Sequence, residues 1–199
     1  TDDSLNVLRQ LVKKDIPFSF SIISLEGTLG KKAAITTGIA QASGEIIVTT
    51  DADCWFSENW LTAMTSGFSN PQTQMITGPV VLEGASFFQK LQRVEFGAIL
   101  ASSAALIGLD KPTMANGANL AYRKSVFDEV EGFSGIEQTP SGDDELLMMK
   151  IVKKYPKGVV FAKNTEAVVY TLAHSNWSDF LQQRKRWASK WKVGKRWST

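Results

Sequence analysis

Cysteine and histidine are nearly absent from this chain: among 199 residues there is one of each, Cys54 and His174. A single thiol excludes an internal disulfide framework and fits a reducing compartment. The one histidine stands before Ser175 and Asn176 at an expected helix start and reads as structural. Long hydrophobic runs are missing as well. The longest weakly polar stretch, Phe96 to Leu109, is too short and too rich in small residues to span a bilayer, which takes about 20 apolar residues. The opening Thr1-Asp2-Asp3-Ser4 is polar and acidic, unlike the basic-then-apolar order of a secretory leader. An excess of one charge sign is also lacking, since the formal net charge of +2 is too small to imply a nucleic-acid partner. No internal repeat and no low-complexity linker interrupts the chain.

What is present is ordinary for a globular unit: 43% hydrophobic and 21% charged residues at a length near one domain. The expectation is a single domain over residues 1–199. Charge is nonetheless uneven, because from Phe180 onward there are seven Lys or Arg and no acid. The chain opens without an initiator Met, in what reads as a turn running into a helix. A segment cut from a longer protein at both ends is therefore expected.

Leu5, Leu8, Leu11 and Val12 recur at helical spacing, and Pro17 closes that helix before the β-rich Phe18 to Ser24. A second cycle follows, with a helix from Gly30 to Ala42, a stop at Gly44, and a β-branched strand from Glu45 to Thr50. Further helices are expected over Asn59–Phe68, Ser86–Ile107, Ser125–Val130, Asp143–Lys154 and Trp177–Lys192. Strands are expected over Gln74–Leu82, over Asn119–Tyr122 and near Val159 and Val168. This alternation predicts an α/β fold with a largely parallel sheet.

In open sheets of that class, ligands bind beyond the carboxyl ends of strands, which is where Asp51-Ala52-Asp53 falls. Two carboxylates one residue apart can both face a cleft if a turn breaks the strand's alternation. They then offer oxygen ligands to Mg²⁺ or Mn²⁺, whose charge offsets that of a leaving group. A solvated turn carries the same triplet. Downstream, Gly142-Asp143-Asp144-Glu145 places three acids at a helix start, where the dipole favours negative charge. Capping alone explains them, while an acid crowded by another acid is also a candidate general base. Finally, Gln183, Arg186 and Trp187 stand at i, i+3 and i+4, so a helix projects them from one face. The alternative there is a basic amphipathic helix whose aromatics lie on the core or at a membrane surface.

In this order and at these distances, the three motifs resemble the signatures D-x-D, an acidic pair, and Q-x-x-R-W of the family 2 glycosyltransferases. The run from Gly30-Lys31-Lys32 through Ala42-Ser43-Gly44-Glu45 to Asp51-Ala52-Asp53 is similar to that family's G-K…A-x-G-E…D-A-D block, with Thr36 where Asn is common. Asn116-Gly117-Ala118-Asn119, leading to Gly132-Phe133, resembles its element near the acceptor, with Glu131 replacing one glycine. The likeness covers about Asp2 to Trp191 and extends to the processive polysaccharide synthases.

The resemblance implies a GT-A, Rossmann-like α/β domain with a mostly parallel sheet flanked by helices, here lacking its first strand or strands. It implies an inverting, metal-dependent transfer of sugar from a nucleotide-sugar, a UDP-sugar, to a polysaccharide or other hydroxyl acceptor. By that pattern Asp144 is the catalytic base, with Asp143 supporting it. Asp51 and Asp53 hold Mg²⁺ or Mn²⁺ and the diphosphate. Lys31 and Arg186 approach the diphosphate, and Lys31 equally suits a solvated first helical turn. Gly117, Asn119, Gln183 and Trp187 fall to the acceptor, glycan or lipid-linked. The full protein is expected at the cytoplasmic face of a membrane. Two rivals stand beside this: a non-catalytic membrane-surface scaffold, and a haloacid-dehalogenase-like phosphatase. The phosphatase pattern wants Thr two residues past the second Asp, where this chain has Trp55.

Overall fold

The computed structural model describes residues 3–12, 18–25, 30–136 and 142–189. The backbone falls into two compact units, Thr1–Gln41 and Ala42–Thr199. The first carries two helices, α1 (Ser4–Val12) and α2 (Lys31–Gln41). Gly30 precedes α2 at φ +118°, a left-handed value suited to glycine, and its carbonyl accepts the N–H of Ala34 in the first helical turn. Residues 18–24, read as β-rich, form no strand, and Phe18, Ile22 and Ile23 are exposed. Alternation alone does not make a strand; a ladder partner is required. The expected stop at Pro17 lies outside the described residues.

The second unit holds seven strands among the described residues: β1 (Ile46–Thr49), β2 (Trp55–Phe56), β3 (Met75–Thr77), β4 (Val80–Glu83), β5 (Leu120–Arg123), β6 (Val159–Phe161) and β7 (Val169–Leu172). Its helices are α3 (Trp60–Thr65), α4 (Phe87–Gly108), α5 (Lys124–Glu129), α6 (Asp143–Lys154) and α7 (Trp177–Ser189). A four-stranded sheet has the order β1-β5-β3-β6, and a three-stranded sheet the order β2-β7-β4. The architecture is α/β with helices beside both sheets, as expected. In the larger sheet β5 pairs antiparallel with both β1 and β3, while β3 and β6 are parallel. Three of its four strands therefore share a direction. The opposed β5 sits in the middle, so two of its three pairings are antiparallel.

The continuous strand expected over residues 74–82 is two strands in different sheets. The break falls at Gly78-Pro79, where proline has no N–H to give a ladder. A Cβ on Gly78 would lie 2.3 Å from Asn119 Nδ2, so only glycine lets that amide approach. The 22-residue α4 begins with a capping box: Ser86 accepts from the Gln89 N–H, and the Gln89 side chain accepts from the Ser86 N–H. Gln89 and Gln92 on α4 donate to the carbonyls of Ala173 and His174, and the His174 N–H donates back to Gln92. The chain leaving β7 is thus fastened to α4 by paired amides, and His174 enters this bracket through its backbone.

The core lies between the helices and both sheets. Met64, Phe68, Ile76, Val80, Phe96, Leu100, Ala121 and Val169 are buried in one cluster. No helix among the described residues is long and apolar enough to cross a membrane.

Candidate functional site

Strand β1 is short and β-branched, and its chain continues through Thr50 into the turn at Asp51. The Cys54 N–H donates to the Asp51 carbonyl at 3.1 Å, which closes a four-residue turn over Asp51-Ala52-Asp53-Cys54. This is the break in alternation that lets neighbouring acids share a side. The turn also carries the chain from one sheet to the other, since β1 and β2 belong to different sheets. Asp51 is half-buried and Asp53 exposed. Thr171 of β7 donates to Asp53 Oδ2 at 3.5 Å. Between them and the core, Cys54 is partly buried, and burial followed by the charge of Asp53 pushes its thiol pKa up.

A second acidic group comes from α6. Gly142 occupies the position before the helix at φ 90°, a left-handed conformation that turns the chain sharply into Asp143 and Asp144. Asp144 Oδ1 accepts the Glu145 N–H at 2.8 Å, and its Oδ2 accepts the Gly117 N–H at 2.9 Å. On the other side of the same residue, the Thr49 hydroxyl donates to the Gly117 carbonyl at 3.1 Å. Gly117 is therefore the meeting point of two motifs far apart in sequence: β1, which delivers Asp51 and Asp53, and Asp144 at the head of α6. Asp143 lies toward Tyr122. Burial first, and that carboxylate second, hold the Tyr122 hydroxyl far above the usual tyrosine range, so it stays protonated.

Asn119 is placed differently from expectation. Its side chain is fully buried: Oδ1 accepts the Trp60 indole N–H at 3.0 Å, and Nδ2 donates to the carbonyls of Pro79 at 2.8 Å and Ala167 at 2.7 Å. With both N–H donors committed and no surface exposed, this amide is out of reach of an acceptor hydroxyl. Its place is at the junction of the two sheets, and we withdraw it from the acceptor site.

Helix α7 shows Gln183 half-buried, Arg186 exposed and Trp187 partly buried against the core cluster. The Trp187 ring meets Phe96 of α4 at 5.6 Å, and the Arg184 guanidinium stands 4.2 Å from its centroid. A sugar stacking on that face would have to displace the guanidinium, so the indole serves first to seat α7 on α4. Arg184 also lies over Phe180, pairs with Glu95 through its Nε at 3.1 Å, and donates to Gln183 at 3.0 Å. Sequence reasoning passed over Arg184 and Glu95. The available signal was an arginine between two aromatics at helical spacing. Lys31 opens α2 in the N-terminal unit and is exposed. Trp191 lies outside the described residues.

Two carboxylates on one turn fit a hard divalent cation that takes its other ligands from water and phosphate oxygens. Among the described residues no group of three or more His, Cys, Asp or Glu is disposed to hold a metal unaided. That donor set suits an ion shared with a bound diphosphate better than one caged by protein.

No curated protein matches the chain significantly. Among solved structures, a mannosyltransferase from Pyrobaculum calidifontis, in complex with GDP-Man and Mn²⁺, superposes with a TM-score of 0.70 at 18% identity. That match covers 93% of this chain and 48% of the other. Glucosyl-3-phosphoglycerate synthase from Mycobacterium tuberculosis, in complex with Mn²⁺, UDP and glucosyl-3-phosphoglycerate, superposes at 0.52 with 16% identity, over 83% of this chain and 55% of that one. The chain thus spans about half the length of the solved proteins it matches. These likenesses establish the GT-A type of α/β fold. A model described as glycosyl transferase family 2 matches residues 1–131, well over half of the sequence, and the chain therefore belongs to glycosyl transferase family 2.

Proposed function

We propose that the chain is the catalytic portion of an inverting, metal-dependent glycosyltransferase that moves sugar from a UDP-sugar to a hydroxyl on a polysaccharide or lipid-linked acceptor. The observation that carries this reading is the Gly117 bridge, which ties the strand leading into the Asp51–Asp53 turn to the carboxylate of Asp144. Nucleotide-sugar transfer needs that juxtaposition: acids that hold the donor end, and a base facing the incoming hydroxyl.

Asp51 and Asp53 are the residues that would hold Mg²⁺ or Mn²⁺, which when bound offsets negative charge on the departing diphosphate. Asp144 takes the proton from the acceptor hydroxyl as its oxygen attacks the anomeric carbon on the face opposite the diphosphate. Two backbone N–H donors orient that carboxylate, and Asp143 supports it at the helix start. Arg186, exposed on α7, and Lys31, at the first turn of α2, supply cations for phosphate oxygens. Gln183 and Gly117 border the acceptor side, and Trp187 holds α7 in place there. The full protein works at the cytoplasmic face of a membrane, where the basic end of α7 meets anionic lipid.

The test is donor hydrolysis and transfer with Mn²⁺ over a panel of UDP- and GDP-sugars, comparing the protein with Asp144→Asn. The amide oxygen still accepts from Gly117 while the amide nitrogen gives up the Glu145 N–H, so the base is lost at the cost of one hydrogen bond, and thermal melting checks that the variant is folded. Turnover of one donor should fall by roughly 10²- to 10⁴-fold. Turnover unchanged in Asp144→Asn would refute Asp144 as the base. Absence of both turnover and metal-dependent nucleotide binding would favour a scaffold.

A further inference from the structure

Helices α4 and α7 lie side by side. Phe88 meets Trp177 at 4.3 Å and Phe180 at 5.6 Å, Glu95 pairs with Arg184, and Phe96 meets Trp187. The partners advance together along both helices, so the two run parallel. A helix turns by about 100° per residue. Phe87, Leu91, Val94 and Ala98 therefore form a stripe about a quarter turn from the α4 seam. Leu181, Lys185 and Ala188 form a second stripe, about a quarter turn from the α7 seam in the opposite angular sense. In two parallel helices, opposite offsets from a shared seam bring both stripes to the same side. The result is one two-helix face, and it is open: Phe87 is 84% exposed, Val94 70%, Leu91 50% and Leu181 48%.

Charge decides what such a face fits. The two helices hold five basic residues and two acids: by the same rotation Lys90 and Lys185 border the face, Arg184 lies at the seam, Arg93 turns away to pair with Glu83, and Arg186 turns away on α7. One acid, Glu95, is bound at the seam by Arg184, and the other, Asp179, points away from the face and accepts from Asn176. The sequence beyond α7 adds Lys190, Lys192, Lys195 and Arg196, interleaved with Trp191 and Trp197, and no acid. An apolar face bordered by Lys90 and Lys185, with one acid of its helices neutralised at the seam and the other turned away, matches a bilayer surface rich in anionic headgroups.

We infer that the α4–α7 face is a membrane-docking surface that seats Phe87, Leu91, Val94 and Leu181 in the headgroup layer of an anionic bilayer. This deepens the membrane side of the reading above, and it does not depend on the transfer chemistry. The experiment is co-sedimentation of the protein, without donor, with vesicles of phosphatidylcholine alone or mixed with phosphatidylglycerol, at low and high salt. Binding is expected to mixed vesicles and to weaken with salt. Leu91→Asp with Val94→Asp should reduce it at least about tenfold. Lys185→Glu should reduce it by about fivefold or more, the effect of losing one cation at such a surface. Thermal melting checks that both variants are folded.

No binding to mixed vesicles, or binding indifferent to the face variants, would overturn the inference. So would a concentration-dependent dimer in sedimentation that the face variants abolish, since the face would then belong to a second copy. Either result leaves the Asp144→Asn comparison untouched, so the two readings fail separately.

Discussion

Replacing Asn119 with alanine separates two uses of a buried amide, and the structure sets the magnitude. The substitution orphans the Trp60 indole N–H and one acceptor site on the Ala167 carbonyl. The Pro79 carbonyl also loses a donor but keeps the Val169 N–H at 3.0 Å, so its loss is partial. An unsatisfied buried group costs about 1–3 kcal/mol. Two full losses, one partial loss and a small cavity come to about 3–5 kcal/mol, a large share of a typical stability of about 5–15 kcal/mol. Equilibrium urea unfolding, followed by tryptophan fluorescence, reads this as a lowered midpoint at unchanged slope. A cycle with Trp60→Phe should show coupling of about 1 kcal/mol, because the two side chains share one bond. The reasoning is refuted if Asn119→Ala costs less than about 1 kcal/mol yet sharply weakens sugar transfer. That outcome would return Asn119 to the acceptor site.

Two further tests follow from neighbouring geometry. Gly78→Ala drives a methyl into the Asn119 amide and should cost about 1–3 kcal/mol by overpacking, but far less in an Asn119→Ala background, where the obstacle is gone; equal costs in both backgrounds would show that the clash is relieved elsewhere. Since burial and then Asp53 raise the Cys54 thiol pKa, iodoacetamide at pH 8 should alkylate the folded protein more slowly than the urea-unfolded chain. Asp53→Asn should partly restore the rate, because removing a negative neighbour favours thiolate, and a rate equal in all three states would sink the assignment.

Much of the fold around the candidate site was legible because its signals are local. Ile46 to Thr49 announces a strand by β-branching, and the acids beyond it fall where strand-end ligand sites occur. Ser86 and Gln89 mark the start of α4 by a box that needs only four residues. Asp143 and Asp144 stand at a helix start, as the dipole requires. The illegible parts depend on contacts between distant segments. Trp55 and Phe56 become a strand because Tyr170 and Val169 lie opposite them, more than a hundred residues away. Residues 74–82 read as one apolar run, and their division follows from Asn119 filling the space beside Gly78. Whether a turn asparagine faces solvent or becomes the hub of a core cannot be read from spacing. The same holds for Arg184, whose partner Glu95 lies on another helix.

Gly117 has one hydrogen bond through each of its backbone polar groups, its carbonyl to Thr49 and its N–H to Asp144. Its amide proton lies against the carboxylate proposed as the base, so its resonance position registers the charge on that oxygen. Its carbonyl faces the strand that carries the paired acids, and a cation settling on the Asp51–Asp53 turn would be felt there through Thr49. Gly117 labelled with ¹⁵N and carbonyl ¹³C thus becomes a spectroscopic vantage point, its nitrogen turned to one half of the candidate site and its carbonyl carbon to the other.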